Sequence, residues 1–140
     1  MIIGLIGNTK LNKEIVDYLV NDKKYISFRI DDTLDIICKE LMIQKEEVRN
    51  VLKNNFGENI FQKILLKKII KNKNQNIIIN GILNQKDLDF LVHLPKILFL
   101  KDIEFQEKLI CYKPIYFIKM TDKNLFHEKI NAILEKIILI

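Results

Sequence analysis

Glycine, proline and long apolar runs are scarce in this sequence, and each scarcity excludes a class of protein. Four Gly and two Pro in 140 residues argue against a low-complexity chain and favour long regular elements. No apolar run approaches the ~18 residues that a membrane-spanning helix needs. The N-terminus lacks the basic region and small-residue cleavage site of a signal peptide. With 49% apolar residues, the sequence predicts one packed domain over residues 1–140, located in the cytoplasm.

Nucleophilic and metal-binding side chains are also scarce. Ser27 is the only serine and lies inside a predicted strand, so a serine nucleophile is not expected. Cys38 and Cys111 are far apart in apolar surroundings without metal-ligand spacing, and we interpret them as core thiols in a reducing compartment. His93 and His127 are isolated on predicted helices. No metal site is therefore predicted.

The positive charge of the chain comes almost entirely from lysine. Of 23 basic residues only Arg29 and Arg49 are arginines, and the formal net charge is +5. We expect most of the lysines to lie on solvated faces. A second interpretation is attraction to RNA or another polyanion, as in a basic component of a ribonucleoprotein assembly. It rests on lysine content alone.

The first twenty residues hold the pattern around which the rest of the chain is interpreted. An apolar run over residues 1–6 predicts a strand, Gly7 opens a polar turn, and apolar residues at helical spacing follow. Backbone N–H groups at such a turn and at a helix N-terminus can bind phosphate, and a lysine adds its charge. The consensus is Gly, any four residues, Gly, Lys, and Ser or Thr. The candidate phosphate-binding residues are Gly7, Asn8, Asn12, Lys13 and Glu14.

Gly7 and Lys13 fit this consensus, whereas Asn12 and Glu14 replace the second glycine and the hydroxyl. A carboxylate at the position of Glu14 repels a polyphosphate unless it holds a metal. It could also lie in the loop and occupy the anion site. Under that structural interpretation Lys13 is a neighbour of Glu14 or Asp17 rather than a phosphate ligand.

Further apolar runs alternate with helical patterns, which predicts an α/β domain with a doubly wound, five-stranded parallel sheet. The other strands are predicted over residues 25–30, 76–81, 96–100 and 114–118. Helices are predicted over 34–43, 44–54, 60–70, 85–94 and 125–137, with Val48, Val51 and Leu52 inward in the second of these. Ligands bind such sheets at the carboxyl ends of the strands. That rim would collect the first loop with Asp31, Asp32, Asn80, Gly81 and Asp102.

In this order of motifs the chain resembles the small P-loop nucleotide kinases of the deoxynucleoside monophosphate kinase and dephospho-coenzyme A kinase types. Asp31 and Asp32 are similar in position to the acid that handles the acceptor hydroxyl, and the resemblance implies a catalytic role for them. Their alternative role is to cap the following helix. Arg49 resembles the arginine that contacts substrate phosphate. Its alternative is an exposed ion pair with Glu46 or Glu47.

The resemblance also identifies four altered parts of the phosphoryl-transfer apparatus. Glu14 stands in place of the magnesium-binding hydroxyl. Asn80, before Gly81, replaces an aspartate, and Leu83 stands where an arginine is expected. Residues 101–114 contain lysines but no arginine, so the lid over ATP is reduced and lacks a bidentate phosphate grip.

Together these changes favour a catalytically degenerate kinase-like protein that acts as a binding or structural subunit. The alternative is a divergent active kinase that transfers the ATP γ-phosphate to a nucleoside monophosphate or to dephospho-coenzyme A. Its cofactors would be ATP and Mg²⁺, whose binding in the degenerate case is weak or absent. We expect a protein partner or a second copy of the chain, and no membrane.

Overall fold

The computed structural model of the chain describes residues 1–30, 42, 44–57, 60–119 and 125–138. The predicted helix over 34–43, and with it Cys38, Asp31 and Asp32, lies outside these residues. In chain order the elements are β1 (Ile2–Ile6), α1 (Lys10–Asn21), β2 (Ile26–Arg29), α2 (Lys45–Phe56), α3 (Ile60–Lys71), β3 (Ile77–Ile82), α4 (Gln85–Leu91), β4 (Ile97–Asp102), β5 (Ile115–Ile118) and α5 (Leu125–Ile138).

The five strands form one parallel sheet in the order β2-β3-β1-β4-β5, which confirms the predicted fold class. The central strand β1 pairs with both β3 and β4, and Ile3 lies opposite Ile78 on one side and Leu98 on the other. These strands are continuous apolar runs because both faces of the sheet are covered. Gly4 keeps β1 close to its neighbour, since a Cβ there would stand 2.7 Å from the Phe99 ring.

Helices cover the two faces of the sheet, and alternate residues of each strand supply the two cores. Ile3, Leu5 and Ile78 point to the face where α1 and α5 pack. Ile77, Ile79 and Phe99 point to the opposite face, where α3 and α4 pack. The helical residues of the two cores are Leu11, Ile15, Leu19 and Ile130 on the first face, and Leu65, Ile69, Leu88 and Leu91 on the second.

The inward face predicted for the helix over residues 44–54, here α2, is partly wrong. Val48 is buried, but Val51 is 52% exposed. Among the described elements, α2 packs chiefly against α3 rather than against the sheet. A helix in that position buries a narrower stripe than its spacing of apolar residues suggests.

Among the described residues, no helix has both the length and the apolar character required to cross a membrane.

The connection from β4 to β5 contains no helix. Residues 103–114, which we call the strap, run back along α4 to the start of β5. The Gln85 side chain donates to the Ile110 carbonyl oxygen at 2.7 Å and accepts from the Ile110 N–H at 2.8 Å. Tyr112 Oη donates to the Val92 carbonyl oxygen at 3.2 Å. These three hydrogen bonds hold residues 110–112 of the strap on the surface of the domain.

Candidate functional site

The strand order places a crevice between β1 and β4. The chain leaves β1 toward β2 on one side of the sheet and leaves β4 toward β5 on the other. Neighbouring strands whose connections diverge in this way form the usual ligand crevice of an open parallel sheet. Here the crevice is bordered by residues 7–9, between β1 and α1, and by Asp102 at the end of β4.

The loop between β1 and α1 is short, because α1 begins at Lys10. Gly7 has φ +110°, which favours glycine. Its N–H donates to the carbonyl oxygen of Ile82 at 2.8 Å, at the end of β3. Lys13 is the fourth residue of α1. The consensus register predicts a loop that extends to Asn12, whereas in the structure Asn12 already lies in the first turn of the helix.

The space beneath the loop is occupied by the side chain of Asn12. This residue is 1% exposed, and its Nδ2 donates to the carbonyl oxygen of Ile6 at 3.1 Å. A Cβ on Gly7 would stand 2.9 Å from Asn12 Nδ2 and 3.0 Å from Phe105. Asn12, at the position of the second consensus glycine, thus acts as an internal hydrogen-bonding group. Glu14 is not the residue in this space.

A hydrogen bond between Thr9 and Asp102 ties the loop to β4. Thr9 Oγ1 donates to Asp102 Oδ2 at 2.6 Å, a length typical of a hydroxyl donating to a carboxylate. Asp102 is 2% exposed, and its other oxygen accepts from the Glu104 N–H at 3.0 Å. Thr9 also caps α1 by accepting from the Asn12 N–H at 3.4 Å. Both carboxylate oxygens and the cap are therefore engaged within the protein.

The sequence-based prediction of the site does not include Thr9, although the sequence contains a signal that marks Thr9 as a helix N-cap. A threonine directly before a helical pattern is a preferred N-cap, and this would have started α1 at Lys10. The same signal would have shortened the loop. Asp102 stands at the carboxyl end of β4, on the rim where the alternation of strands predicted it.

Lys13 and Glu14 are the fourth and fifth residues of α1, and their side chains point away from the space beneath the loop. Lys13 is exposed. Glu14 lines a surface depression of about 290 Å³ together with Asp17 and His127 of α5, whose ring stacks on Tyr18 at 4.0 Å. Glu14 Oε2 is buried and has no hydrogen-bond partner among the described residues. The structure therefore directs Glu14 to the boundary of α1 and α5.

At the end of β3 the side chain of Asn80 is engaged locally. Its Oδ1 accepts from the Gly81 N–H at 2.8 Å, and Gly81 has φ +85°. Leu83 is 40% exposed. Arg49 lies exposed on α2, and no hydrogen bond among the described residues joins it to the β1–α1 loop. Gly81 thus borders the loop through the adjacent Ile82 contact, and the substrate-binding role of Arg49 stays a prediction.

Metal-ligating side chains do not converge in the described part of the chain. No group of three or more His, Cys, Asp or Glu side chains there is arranged to hold a metal ion. Asp31 and Asp32, the predicted catalytic pair, lie outside the described residues.

Comparison with known proteins identifies the fold and no family. The chain is similar to the crystal structure of a "putative kinase" from Chloroflexus aurantiacus j-10-fl, with a TM-score of 0.61 and 11% sequence identity. The similarity covers 96% of this chain and 96% of that chain. A scan of protein-family models found no match, and neither did a search of curated proteins. At this identity the likeness establishes a kinase-like α/β fold alone.

Proposed function

We propose that this chain is a degenerate P-loop kinase-like protein that does not transfer phosphate and serves as a binding or structural subunit. The observation that supports the proposal is the filled loop between β1 and α1. Asn12 occupies the space beneath it, and Thr9 is bonded to Asp102 across the crevice. A phosphate group would have to displace both interactions in order to sit inside the loop.

Two polar groups at the loop are already engaged within the protein. Catalysis of phosphoryl transfer consists of positioning the phosphates and neutralising their charge with amides, cations and Mg²⁺. The Gly7 N–H is already donated to Ile82, and Asp102 already accepts two hydrogen bonds. Any residual affinity for ATP·Mg²⁺ or phosphate would come from the N-terminus of α1 with Lys10 and Lys13, which are exposed.

The strap supports the same proposal. In a kinase, closure of a lid over the bound nucleotide excludes water and completes the charge neutralisation. Here Lys113 Nζ donates to the carbonyl oxygen of Leu94 at 2.6 Å, and Gln85 binds Ile110 through two hydrogen bonds. Residues 110–113 cannot leave α4 for the crevice without breaking those contacts, whereas Phe105, near the start of the strap, already lies beside Gly7.

A phosphotransfer assay tests the proposal. The purified chain is incubated with γ-labelled ATP, Mg²⁺ and a panel of nucleoside monophosphates and dephospho-coenzyme A, beside Lys13→Ala. Because Lys13 is exposed, its replacement should change stability by less than about 0.5 kcal/mol. Lys63→Ala, an exposed lysine on α3, is the matched control. We expect equal background signals from all three proteins.

Turnover by the wild type and Lys63→Ala that exceeds Lys13→Ala would overturn the proposal and favour the divergent active kinase. In that case Asp32→Asn should also abolish turnover. Salt-sensitive binding of RNA, without turnover, would instead favour the ribonucleoprotein interpretation. The partner of a binding subunit is either a second copy of the chain or another protein. Light scattering of the purified chain distinguishes them, since a particle of twice the chain's mass indicates a dimer.

A further inference from the structure

A cavity of about 620 Å³ opens at the amino ends of β4 and β5, opposite the β1–α1 loop. These two strands differ in length. Pairing between β4 and β5 begins with Phe99 opposite Ile115, so Ile97 and Leu98 extend beyond the start of β5. Pro114 precedes β5 and has no N–H with which to continue the ladder. The cavity lies beside this unpaired end of β4.

The walls of this cavity are largely apolar. Ile97 and Leu98 are each 7% exposed, and Met1, Pro114 and Tyr116 are the other described residues of the walls apart from two lysines. The volume falls within the range of roughly 300–1,000 Å³ that is usual for small-molecule sites. An alkyl or aryl group placed here would leave water for a preformed apolar surface.

Two lysines give the cavity a positive mouth, and no acidic side chain of the described residues lines it. Lys113 Nζ is fixed by its bond to the Leu94 carbonyl oxygen at 2.6 Å, which uses one of its three hydrogens. Lys96 has φ +60°, in the left-handed region that a lysine seldom adopts. Lys96 thus lines the cavity from a strained turn directly before β4.

We propose that this cavity binds an aliphatic carboxylate. Its carboxylate lies between the ammonium groups of Lys96 and Lys113, and its hydrocarbon chain packs against Ile97, Leu98 and Pro114. The site is separate from the β1–α1 loop and does not depend on the function proposed for it. The ligand class of this cavity is therefore an anion with an apolar tail.

Calorimetric titration with hexanoate, octanoate and decanoate, each below its micelle concentration, tests the proposal. Affinity should rise about fourfold for each added methylene, because each buried CH₂ contributes a near-constant free energy. Decylammonium, with the same tail and the opposite charge, should not bind. Lys96→Met should weaken decanoate binding at least about tenfold, as expected for the loss of a charged hydrogen bond. Lys119→Met, an exposed lysine outside the cavity, should leave it unchanged.

Lys96→Gly separates loss of binding from loss of folding. Glycine adopts positive φ freely, so this variant should melt at or above the wild-type temperature and still lose decanoate binding. Equal binding of decanoate by wild type and Lys96→Met, or binding of decylammonium, would overturn the proposal. So would the absence of decanoate binding at about millimolar concentration, the weak end of ligand affinities.

Discussion

The hydrogen bond between Thr9 and Asp102 gives the sharpest prediction about the filled loop. Thr9→Ala removes the N-cap of α1, for which the loss is about 1 kcal/mol. It also removes one of the two hydrogen bonds to a carboxylate that is 2% exposed, and the loss of a bond to a charged group is about 1.5–3 kcal/mol. Because the two effects share one side chain, we expect a total loss of about 2–3 kcal/mol in the free energy of unfolding.

Urea unfolding followed by circular dichroism measures this loss, since the chain contains no Trp. For a domain of this size 1 kcal/mol corresponds to about 4 °C in melting temperature, so Thr9→Ala should melt about 8–12 °C below the wild type. Thr9→Ser keeps the hydroxyl and should lose less than about 1 kcal/mol. In a double-mutant cycle with Asp102→Asn, we expect a coupling energy of about 1–2 kcal/mol.

Additivity of Thr9→Ala and Asp102→Asn within about 0.5 kcal/mol would refute this reasoning. The two side chains would then stabilise the protein independently, and their contact could not hold the loop against β4. An equal loss for Thr9→Ser and Thr9→Ala would refute it as well, because the methyl group rather than the hydroxyl would be the important part of the side chain.

Three further predictions concern the loop, the strap and the core. Gly7→Ala places a Cβ 2.9 Å from Asn12 Nδ2 at a backbone φ of +110°. Urea unfolding should therefore show a loss of about 2–4 kcal/mol in the free energy of unfolding. A loss below about 1 kcal/mol would mean that the loop adjusts freely. Gln85→Ala removes both side-chain bonds to Ile110, so trypsin should cleave the strap faster than in wild type, and an unchanged cleavage rate would contradict a role for Gln85 in holding it. Burial raises the pKa of Tyr25 above its ordinary value of 10.0. The unfolded state therefore releases the phenolic proton first, and the free energy of unfolding falls as pH rises above about 10. Between pH 8 and 10.5, urea unfolding should show a smaller fall in the free energy of unfolding for Tyr25→Phe than for wild type, whereas an equal fall would contradict the assignment.

The sheet could be predicted from sequence because each strand is signalled locally. Runs such as residues 77–79 are apolar throughout, which is typical of strands covered on both faces, and turn residues bound them. The exposure of Val51 could not be predicted in the same way. Apolar spacing defines a helical face, but only the tertiary arrangement decides what that face meets, and α2 packs on another helix.

The site was less predictable, since its contacts join distant parts of the chain. Thr9 and Asp102 are 93 positions apart, and they meet only because β1 and β4 are neighbours in the sheet. The consensus register drew attention to Lys13, whereas the cap at Thr9 fixes where α1 begins. Likewise, the absence of arginine indicated a reduced lid, but the bonds between Gln85 and Ile110 depend on how the strap crosses α4.

The central claim is that the filled loop no longer holds a nucleotide. A thermal-shift titration with ATP, with and without Mg²⁺, on wild type and Lys13→Ala tests it most directly. A ligand at a hundred times its dissociation constant stabilises the native state by about 2.7 kcal/mol, an easily visible shift. We predict no shift of that size for either protein at millimolar ATP. A magnesium-dependent shift of about that size that disappears in Lys13→Ala would contradict the claim, because it exceeds the weak affinity expected of the exposed N-terminus of α1 alone.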